Sequence, residues 1–130
     1  MSALGLIAGG GELPRAIAHS ARDAGRAVFV VGIIGSLGED WVQDFPHEFL
    51  SPGEPGRIIK ALKGAGTRQV LFAGRVDRPK FSDLKLDAKG MLLLPKAIAA
   101  ARKGDDALLR FIVGICEGEG LTAISVAEAA

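Results

Sequence analysis

The sequence predicts an α/β fold in which helices cover both faces of a mainly parallel β-sheet. Short apolar segments rich in Val, Ile, Leu and Phe alternate with segments of helical periodicity, and this alternation is typical of βαβ units. Residues 27–34 are apolar on both faces, as is a central strand of a parallel sheet, and residues 69–73 are expected to form a further buried strand. Right-handed crossovers between such strands produce a Rossmann-like three-layer sandwich.

The first half of the chain contains three predicted strands and two predicted helices. The strands are expected at residues 4–8, 27–34 and 47–50, and the helices at 14–24 and 54–63. Pro14 suits the first position of a helix, where a missing N–H costs nothing, and Gly25 suits the residue that ends it. One helical turn is expected around Trp41. Helical spacing places four side chains on the buried face of the first helix: Leu13, Ile17, Ala21 and Ala24.

The second half contains two further strands and two further helices. The strands are expected at residues 69–73 and 121–126, and the helices at 91–103 and 105–117. Residues 74–90 are polar, so we predict an irregular segment in which Asp87 is solvated. Asp105 occupies the position of a helix cap. The last helix carries one apolar stripe, which predicts that Cys116 packs in the core: Leu108, Leu109, Ile112, Val113 and Cys116.

Composition narrows the classes of function. A length of 130 residues suits one domain, and the net charge is only +1 without long runs of like charge, which argues against a nucleic-acid partner. With six Phe, one Trp and no Tyr, a base-stacking platform is not expected. The single cysteine excludes an internal disulfide, and we find neither a signal peptide nor an apolar run that could cross a bilayer. These features predict a cytoplasmic protein, with association at a membrane surface left open.

Three consecutive glycines, residues 9–11, separate the first predicted strand from the first helix. Backbone N–H groups at such a turn, together with the positive end of the helix, can hold a phosphate. The alternative is a tight turn that needs glycine only for its backbone angles. The candidate ligand contacts in this segment are Gly10, Gly11, Glu12 and Leu13. The Glu12 carboxylate either stabilises the start of the helix or contacts a sugar hydroxyl or amide of the ligand.

The familiar nucleotide-binding motifs are incomplete here. A Walker A loop requires Gly-Lys-Ser/Thr, which the segment lacks, and Pro14 stands where the dinucleotide motif has its third glycine. The strand predicted at 27–34 ends without the acidic residue that would hold a ribose. A dinucleotide oxidoreductase is therefore disfavoured.

A second loop of interest follows the strand predicted at residues 69–73. It begins with Gly74 and Arg75, and if the two strands are neighbours, both loops lie at one crevice. The fork of an arginine side chain can bind two phosphate oxygens, although an exposed loop cation is the alternative for Arg75. Asp105 and Asp106 are explained by helix capping and the helix dipole, while a magnesium site is a less favoured interpretation.

Complete catalytic machinery is not evident in the sequence. His19 and His47 have no partners at metal-ligand spacing, and no Ser-His-Asp or Cys-His set can be assembled. We therefore interpret both histidines as structural and predict no catalytic residue in this chain.

Three segments together carry a resemblance to a known family: LGLIAGGGELP, VLFAGRVDRP and KGDDALLRFIV, in this order. Over essentially all 130 residues the chain resembles the N-terminal domain of the LpxI-type UDP-2,3-diacylglucosamine pyrophosphatases of Gram-negative bacteria. The resemblance implies that residues 1–130 are a Rossmann-like N-terminal domain. It also implies a C-terminal domain, absent from this chain, that carries the essential aspartate, with the lipid product held between the two domains.

The resemblance further implies a hydrolase of lipid A biosynthesis that acts at the cytoplasmic side of the inner membrane, peripheral to it. The complete enzyme would cleave its glycolipid nucleotide substrate to UMP and 2,3-diacylglucosamine 1-phosphate (lipid X). It would depend on a divalent metal such as Mg²⁺, bound mainly outside this chain. The sequence leaves open whether the protein forms a homodimer. A substrate-contact role carries over to six residues: Gly10, Gly11, Glu12, Leu13, Gly74 and Arg75. The chain alone is expected to be inactive, and the alternative is a non-catalytic nucleotide or sugar-phosphate binding module.

Overall fold

A computed structural model describes residues 3–34, 40–74 and 85–124 of the chain. The strands in these ranges are β1 (Ala3–Ala8), β2 (Val28–Ile33), β3 (His47–Leu50), β4 (Thr67–Ala73) and β5 (Thr122–Ala123). The helices are α1 (Leu13–Asp23), α2 (Pro55–Gly64), α3 (Ala88–Lys103) and α4 (Asp105–Gly118), and a 3₁₀ turn spans Asp40–Asp44.

The described strands form one sheet in the order β3-β2-β1-β4-β5, and every pairing in it is parallel. The central strand, β1, pairs with β2 from Leu4 opposite Val28, and with β4 as far as Ala8 opposite Ala73. The chain thus progresses outward in one direction through β2 and β3, and in the other direction through β4 and β5. The predicted α/β sandwich with a parallel sheet is confirmed, and its topological switch point lies between β1 and β4.

One face of the sheet, which we call the closed face, is covered by α1 and the 3₁₀ turn. Alternate residues of β1 point to it, and Leu4, Leu6 and Ala8 have no exposed surface. Trp41 and Phe45 close the far side of this cluster, with their rings 5.9 Å apart in an edge-to-face arrangement. The closed face is therefore a filled hydrophobic core, to which α1 contributes three further side chains: Ile17, Ala18 and Ala21.

The opposite face, which we call the open face, is covered by α2, α3 and α4. Its core cluster joins strand residues such as Ile7 and Val31 to Leu62 of α2 and Cys116 of α4. Burial is less complete in α3 and α4 than in α2: in α3 only Gly90 and Ala101 are buried, and in α4 only Cys116 is buried. The prediction that Cys116 packs in the core is confirmed.

Four details of the sequence-based prediction are wrong. Leu13 is 52% exposed and Ala24 is also exposed, whereas Pro14 and Ala18 of α1 are buried. The third helix begins at Ala88 because the preceding carboxylate, Asp87, caps it. The last helix has Gly104, and not Asp105, at its cap position, so Asp105 stands in the first turn, where the helix dipole favours a carboxylate. The apolar stripe of that helix is only partly buried, since Leu109 and Ile112 are exposed.

Candidate functional site

The loops after β1 and β4 meet at the switch point of the sheet. The N–H of Gly9 donates to the carbonyl oxygen of Ala73 at 2.9 Å. Gly74 has a φ of +91°, and a methyl group on it would lie 2.8 Å from the carbonyl oxygen of Gly10 and 2.7 Å from a ring carbon of Pro14. Both the backbone conformation and the close approach require glycine at residue 74. The expected crevice between the two loops is therefore present.

The glycine turn is open to solvent where it enters α1. Gly11 has a φ of +101°, and a methyl group added there would meet no atom within 4 Å. Glu12 is exposed and occupies the position before the helix, but its side chain makes no capping hydrogen bond. The Glu12 carboxylate therefore does not cap the N–H groups at the start of α1, and the partial positive charge of this helix end suits an anionic ligand.

A cavity of about 600 Å³ lies on the open face and reaches the crevice. Leu13, Ala73 and Gly74 belong to its lining, so the cavity is continuous with the two loops. Most of the rest of the lining is contributed by aliphatic and aromatic side chains from β1, β2, β4 and the three helices of the open face, and the segments before α2 and α3 add Pro52, Gly53 and Leu86. Among the described lining residues, Asp105 is the only one with a charged side chain.

The exposed members of the lining show where the cavity meets solvent. These are Leu13, Gly74, Asp105, Leu109 and Ile112. The exposure of Leu109 and Ile112 in an apolar stripe is thus explained, because they border the mouth of a cavity. The mouth combines exposed apolar side chains with the glycine crevice and one carboxylate.

Asp87 fastens the N-termini of two helices that surround the cavity. Its Oδ1 atom accepts a hydrogen bond from the N–H of Gly90 in α3 at 2.7 Å, and its Oδ2 atom accepts one from the N–H of Arg57 in α2 at 2.9 Å. A methyl group at Gly90 would collide with the carbonyl oxygen of Gly53, so α3 also approaches the turn before α2 closely. The prediction that Asp87 is a solvated loop residue is wrong.

Two further carboxylates hold the helices of the open face. Glu54, which is buried, accepts from the Arg57 guanidinium at 2.8 Å, and this hydrogen bond lowers the pKa of the Glu54 carboxyl although burial opposes the shift. At the end of α4, Glu119 pairs with Lys89 of α3 and with Lys63 of α2. Hydrogen bonds from these two ammonium groups lower the pKa of Glu119.

The structure brings five of the six candidate contacts together: Gly10, Gly11, Glu12, Leu13 and Gly74 lie at or beside the crevice. Arg75 lies outside the described residues. Asp105 reaches the cavity mouth, whereas Asp106 is exposed outside the lining. In the described part of the chain no group of three or more His, Cys, Asp or Glu residues could hold a metal ion.

The histidines have structural contacts. His19 packs edge-to-face on the Phe45 ring, with centroids 5.2 Å apart, and its Nδ1 atom is hydrogen-bonded with Arg22. His47 is hydrogen-bonded through Nδ1 with the carbonyl oxygen of Phe45. Sequence reasoning did not find the apolar cavity. A signal for it exists in the predicted helices at 91–103 and 105–117, which carry more apolar residues than one buried stripe can hold.

Comparison with known proteins agrees with this architecture. The family model described as the LpxI N-terminal domain matches residues 3–130. The UDP-2,3-diacylglucosamine pyrophosphatase LpxI of Caulobacter vibrioides is 48% identical over 120 residues, which cover 92% of this chain and 42% of that relative. The chain therefore spans less than half of the length of the relative that it matches. With a family match over nearly its whole length, the chain belongs to the LpxI family, in which it corresponds to the N-terminal domain.

Proposed function

We propose that this chain is the substrate-binding half of a hydrolase that cleaves the pyrophosphate of UDP-2,3-diacylglucosamine, releasing UMP and lipid X. The observation that carries the proposal is the continuity of the glycine crevice with the apolar cavity through Leu13, Ala73 and Gly74. A ligand that fits both must have a phosphate and a long apolar group in one molecule, as a diacylglucosamine phosphate does. The activity for which the Caulobacter relative is named supports the same substrate.

The crevice would hold the phosphate. N–H groups of the glycine turn and the start of α1 supply donors and positive potential. Arg75 follows Gly74 directly in the sequence, and we propose that its guanidinium adds a bidentate contact to the phosphate oxygens. Loss of one charge-assisted contact of this kind costs about 1.5–3 kcal/mol. An Arg75→Ala protein with unchanged turnover and unchanged affinity would contradict this role.

The cavity would hold a fatty acyl chain. Its volume of about 600 Å³ lies in the usual range for small-ligand sites, and burial of each methylene contributes about 0.8 kcal/mol. Leu109 and Ile112 at the mouth would cover the part of the chain nearest the sugar. The apolar lining therefore favours an acylated ligand over the same sugar phosphate without acyl chains.

Catalysis is assigned to the rest of the protein. We propose that a C-terminal domain supplies the catalytic residues and binds the divalent metal, as the resemblance to the LpxI-type family implies. The role of this chain is to bind the phosphate, to bury the acyl group and to keep water from the apolar part of the substrate. In the cell the protein would work at the cytoplasmic side of the inner membrane.

Calorimetry with lipid X and with glucosamine 1-phosphate tests the binding role. We expect lipid X to bind at least ~10-fold more tightly, because it alone buries methylenes in the cavity. Ala97→Phe, which fills the cavity, should weaken the binding of lipid X. Ala99→Phe makes the same change at an exposed position of α3 and should leave the affinity for lipid X unchanged. Equal affinity for both ligands, or equal effects of both variants, would contradict the proposal.

Incubation of the chain with UDP-2,3-diacylglucosamine and Mg²⁺ tests whether catalysis requires the rest of the protein. We expect no release of UMP, and release only when the remainder of the protein is present. UMP release by the chain at the rate of the longer protein would contradict the assignment of catalysis to another domain. If the longer protein also releases no UMP, the alternative of a non-catalytic sugar-phosphate binding module stands.

A further inference from the structure

The outward side of α3 is unusually apolar for an exposed helix surface. Met91 is 66% exposed and Leu92 is 77% exposed, the largest exposed fractions among the large hydrophobic side chains of the described residues. Alanine and proline account for three of the other exposed positions of this helix. The remaining exposed positions are cations: Lys96, Arg102 and Lys103. We call this set of residues the outer face of α3.

The charge of α3 has one sign only. Residues 88–103 contain four basic and no acidic side chains, and the fourth cation, Lys89, is paired with Glu119. With 3.6 residues per turn, Lys96 and Lys103 lie on one side of the apolar centre of the outer face, and Arg102 lies on the other. Around the helix Arg102 falls between Met91 and Pro95, whereas Lys103 and Lys96 follow Leu92 at the other edge of the outer face. A helix surface that combines exposed apolar side chains with cations is typical of helices that lie in the interface of an anionic membrane.

We propose that the outer face of α3 docks on the surface of an anionic lipid bilayer. Met91 and Leu92 would insert among the acyl chains, and the three cations would contact lipid phosphates. None of the described helices is long and apolar enough to cross a membrane. The inference goes beyond the proposed function, because it concerns a different surface; the opposite side of the same helix lines the cavity through Leu93, Leu94 and Ala97.

A bilayer fits this surface better than a second copy of the chain. In a symmetric dimer through α3, the cations of the two outer faces would meet each other without any carboxylate from the same helix between them. Like charges brought together in an interface oppose association. An anionic lipid surface satisfies both the cations and the exposed apolar side chains.

Flotation with vesicles in the absence of substrate tests the docking. We expect the protein to float with vesicles of equal parts phosphatidylglycerol and phosphatidylcholine, and to stay in solution with pure phosphatidylcholine. The double variant Lys96→Gln, Lys103→Gln should weaken binding about 30-fold, at about 1 kcal/mol per cation. Leu92→Ser should weaken it about 10-fold, because one buried leucine is lost. Matched controls, Arg15→Gln with Lys60→Gln for charge and Ile34→Ser for apolar exposure, should bind as the unaltered protein does.

Three results would overturn the proposal: no flotation with anionic vesicles, equal flotation with neutral ones, or equal loss in the α3 variants and the controls. A dimer in sedimentation equilibrium that the Leu92→Ser variant dissociates would also overturn it, since a second copy would then cover the outer face. The assay contains no lipid X, and the calorimetric test contains no vesicles. Failure of the docking therefore leaves the binding role of the cavity intact, and the reverse also holds.

Discussion

On the closed face of the sheet, α1 and the 3₁₀ turn bury fully covered side chains such as Leu6 and Val42. On the open face, three helices cover strands that are equally apolar, yet α3 and α4 remain half-exposed and a cavity of about 600 Å³ lies beneath them. The strands do not account for this difference, because β1 supplies apolar residues to both sides. The difference lies in how the helices are held.

The helices of the open face are fastened at their ends. Asp87 joins the N-termini of α2 and α3, Glu119 joins α4 to both, and the Ser51 hydroxyl donates to the carbonyl oxygen of Lys85 at 2.9 Å. Polar contacts at helix ends can fix the position of a helix while its middle stays free of dense packing. A filled interior stabilises the closed face, whereas polar contacts at the helix ends hold the open face around a cavity.

The largest expected effect comes from truncation of a leucine on each face. Leu6→Ala should lower the free energy of unfolding by about 3 kcal/mol, since Leu6 is fully buried and its loss creates a new cavity. Leu93→Ala should cost only about 1 kcal/mol, because Leu93 is half-buried and already borders a cavity. Urea unfolding of both variants measures the two values. Equal losses would show that the two faces do not differ in packing.

The next largest effect tests the hydrogen bonds by which Asp87 holds the N-termini of α2 and α3. Asp87→Ala should lower the free energy of unfolding by about 2 kcal/mol, because two helix N-termini lose their cap. The matched variant Asp106→Ala removes an exposed carboxylate from the start of α4 and should cost about 0.5 kcal/mol. Asp87→Asn, which keeps an acceptor oxygen, should recover part of the loss. If the Asp87 and Asp106 variants unfold at the same urea concentration, helix capping is not what holds α3.

Much of the fold was predictable because local and global signals agree. The apolar runs at 27–34 and 69–73 correctly predict buried strands, and Pro14 marks the start of α1 correctly to within one residue. The start of α3 at Ala88 was missed because residues 74–90 were interpreted as one irregular polar segment, although Asp87 is a favoured helix cap. Only the second role of Asp87, as acceptor for an N–H of α2 thirty residues earlier, leaves no local pattern.

The site was predictable only in its polar half. Gly9 to Gly11 and Gly74 were found because glycines after parallel strands point to a crevice, and the strand order then placed them together. The cavity was not found, since an apolar stripe has the same sequence whether a neighbouring helix or a ligand covers it. Leu109 and Ile112 illustrate this. Their helical spacing predicts burial, and only the structure shows that they lie at the solvent-exposed edge of the cavity.

Acid should weaken the open face through Glu54. The hydrogen bond from Arg57 lowers the pKa of this buried carboxyl in the folded protein below the ordinary value of 4.5. Its contribution to stability is therefore present above about pH 4.5 and is lost as the pH falls through the folded-state pKa. We expect Glu54→Gln to be less stable than the unaltered protein at pH 7, with the difference shrinking below pH 4.5. Thermal unfolding at a series of pH values measures this, and a difference that stays constant down to pH 3 would contradict it.

A smaller effect concerns a reaction rate and not folding. Cys116 lines the cavity, and burial raises the pKa of its thiol, so its reaction with a thiol reagent should be slow in the folded protein. At ten times its Kd, lipid X should slow this reaction about 10-fold further, because few cavities remain empty. A matched cysteine on the closed face, Ala18→Cys in a Cys116→Ala background, is fully buried in a filled core and has no contact with the cavity. Its labelling should depend on opening of the core, and lipid X should slow it only as far as the ligand stabilises the whole fold. Equal protection of the two thiols would mean that lipid X acts by global stabilisation alone, and the cavity would then not be where its acyl chain lies.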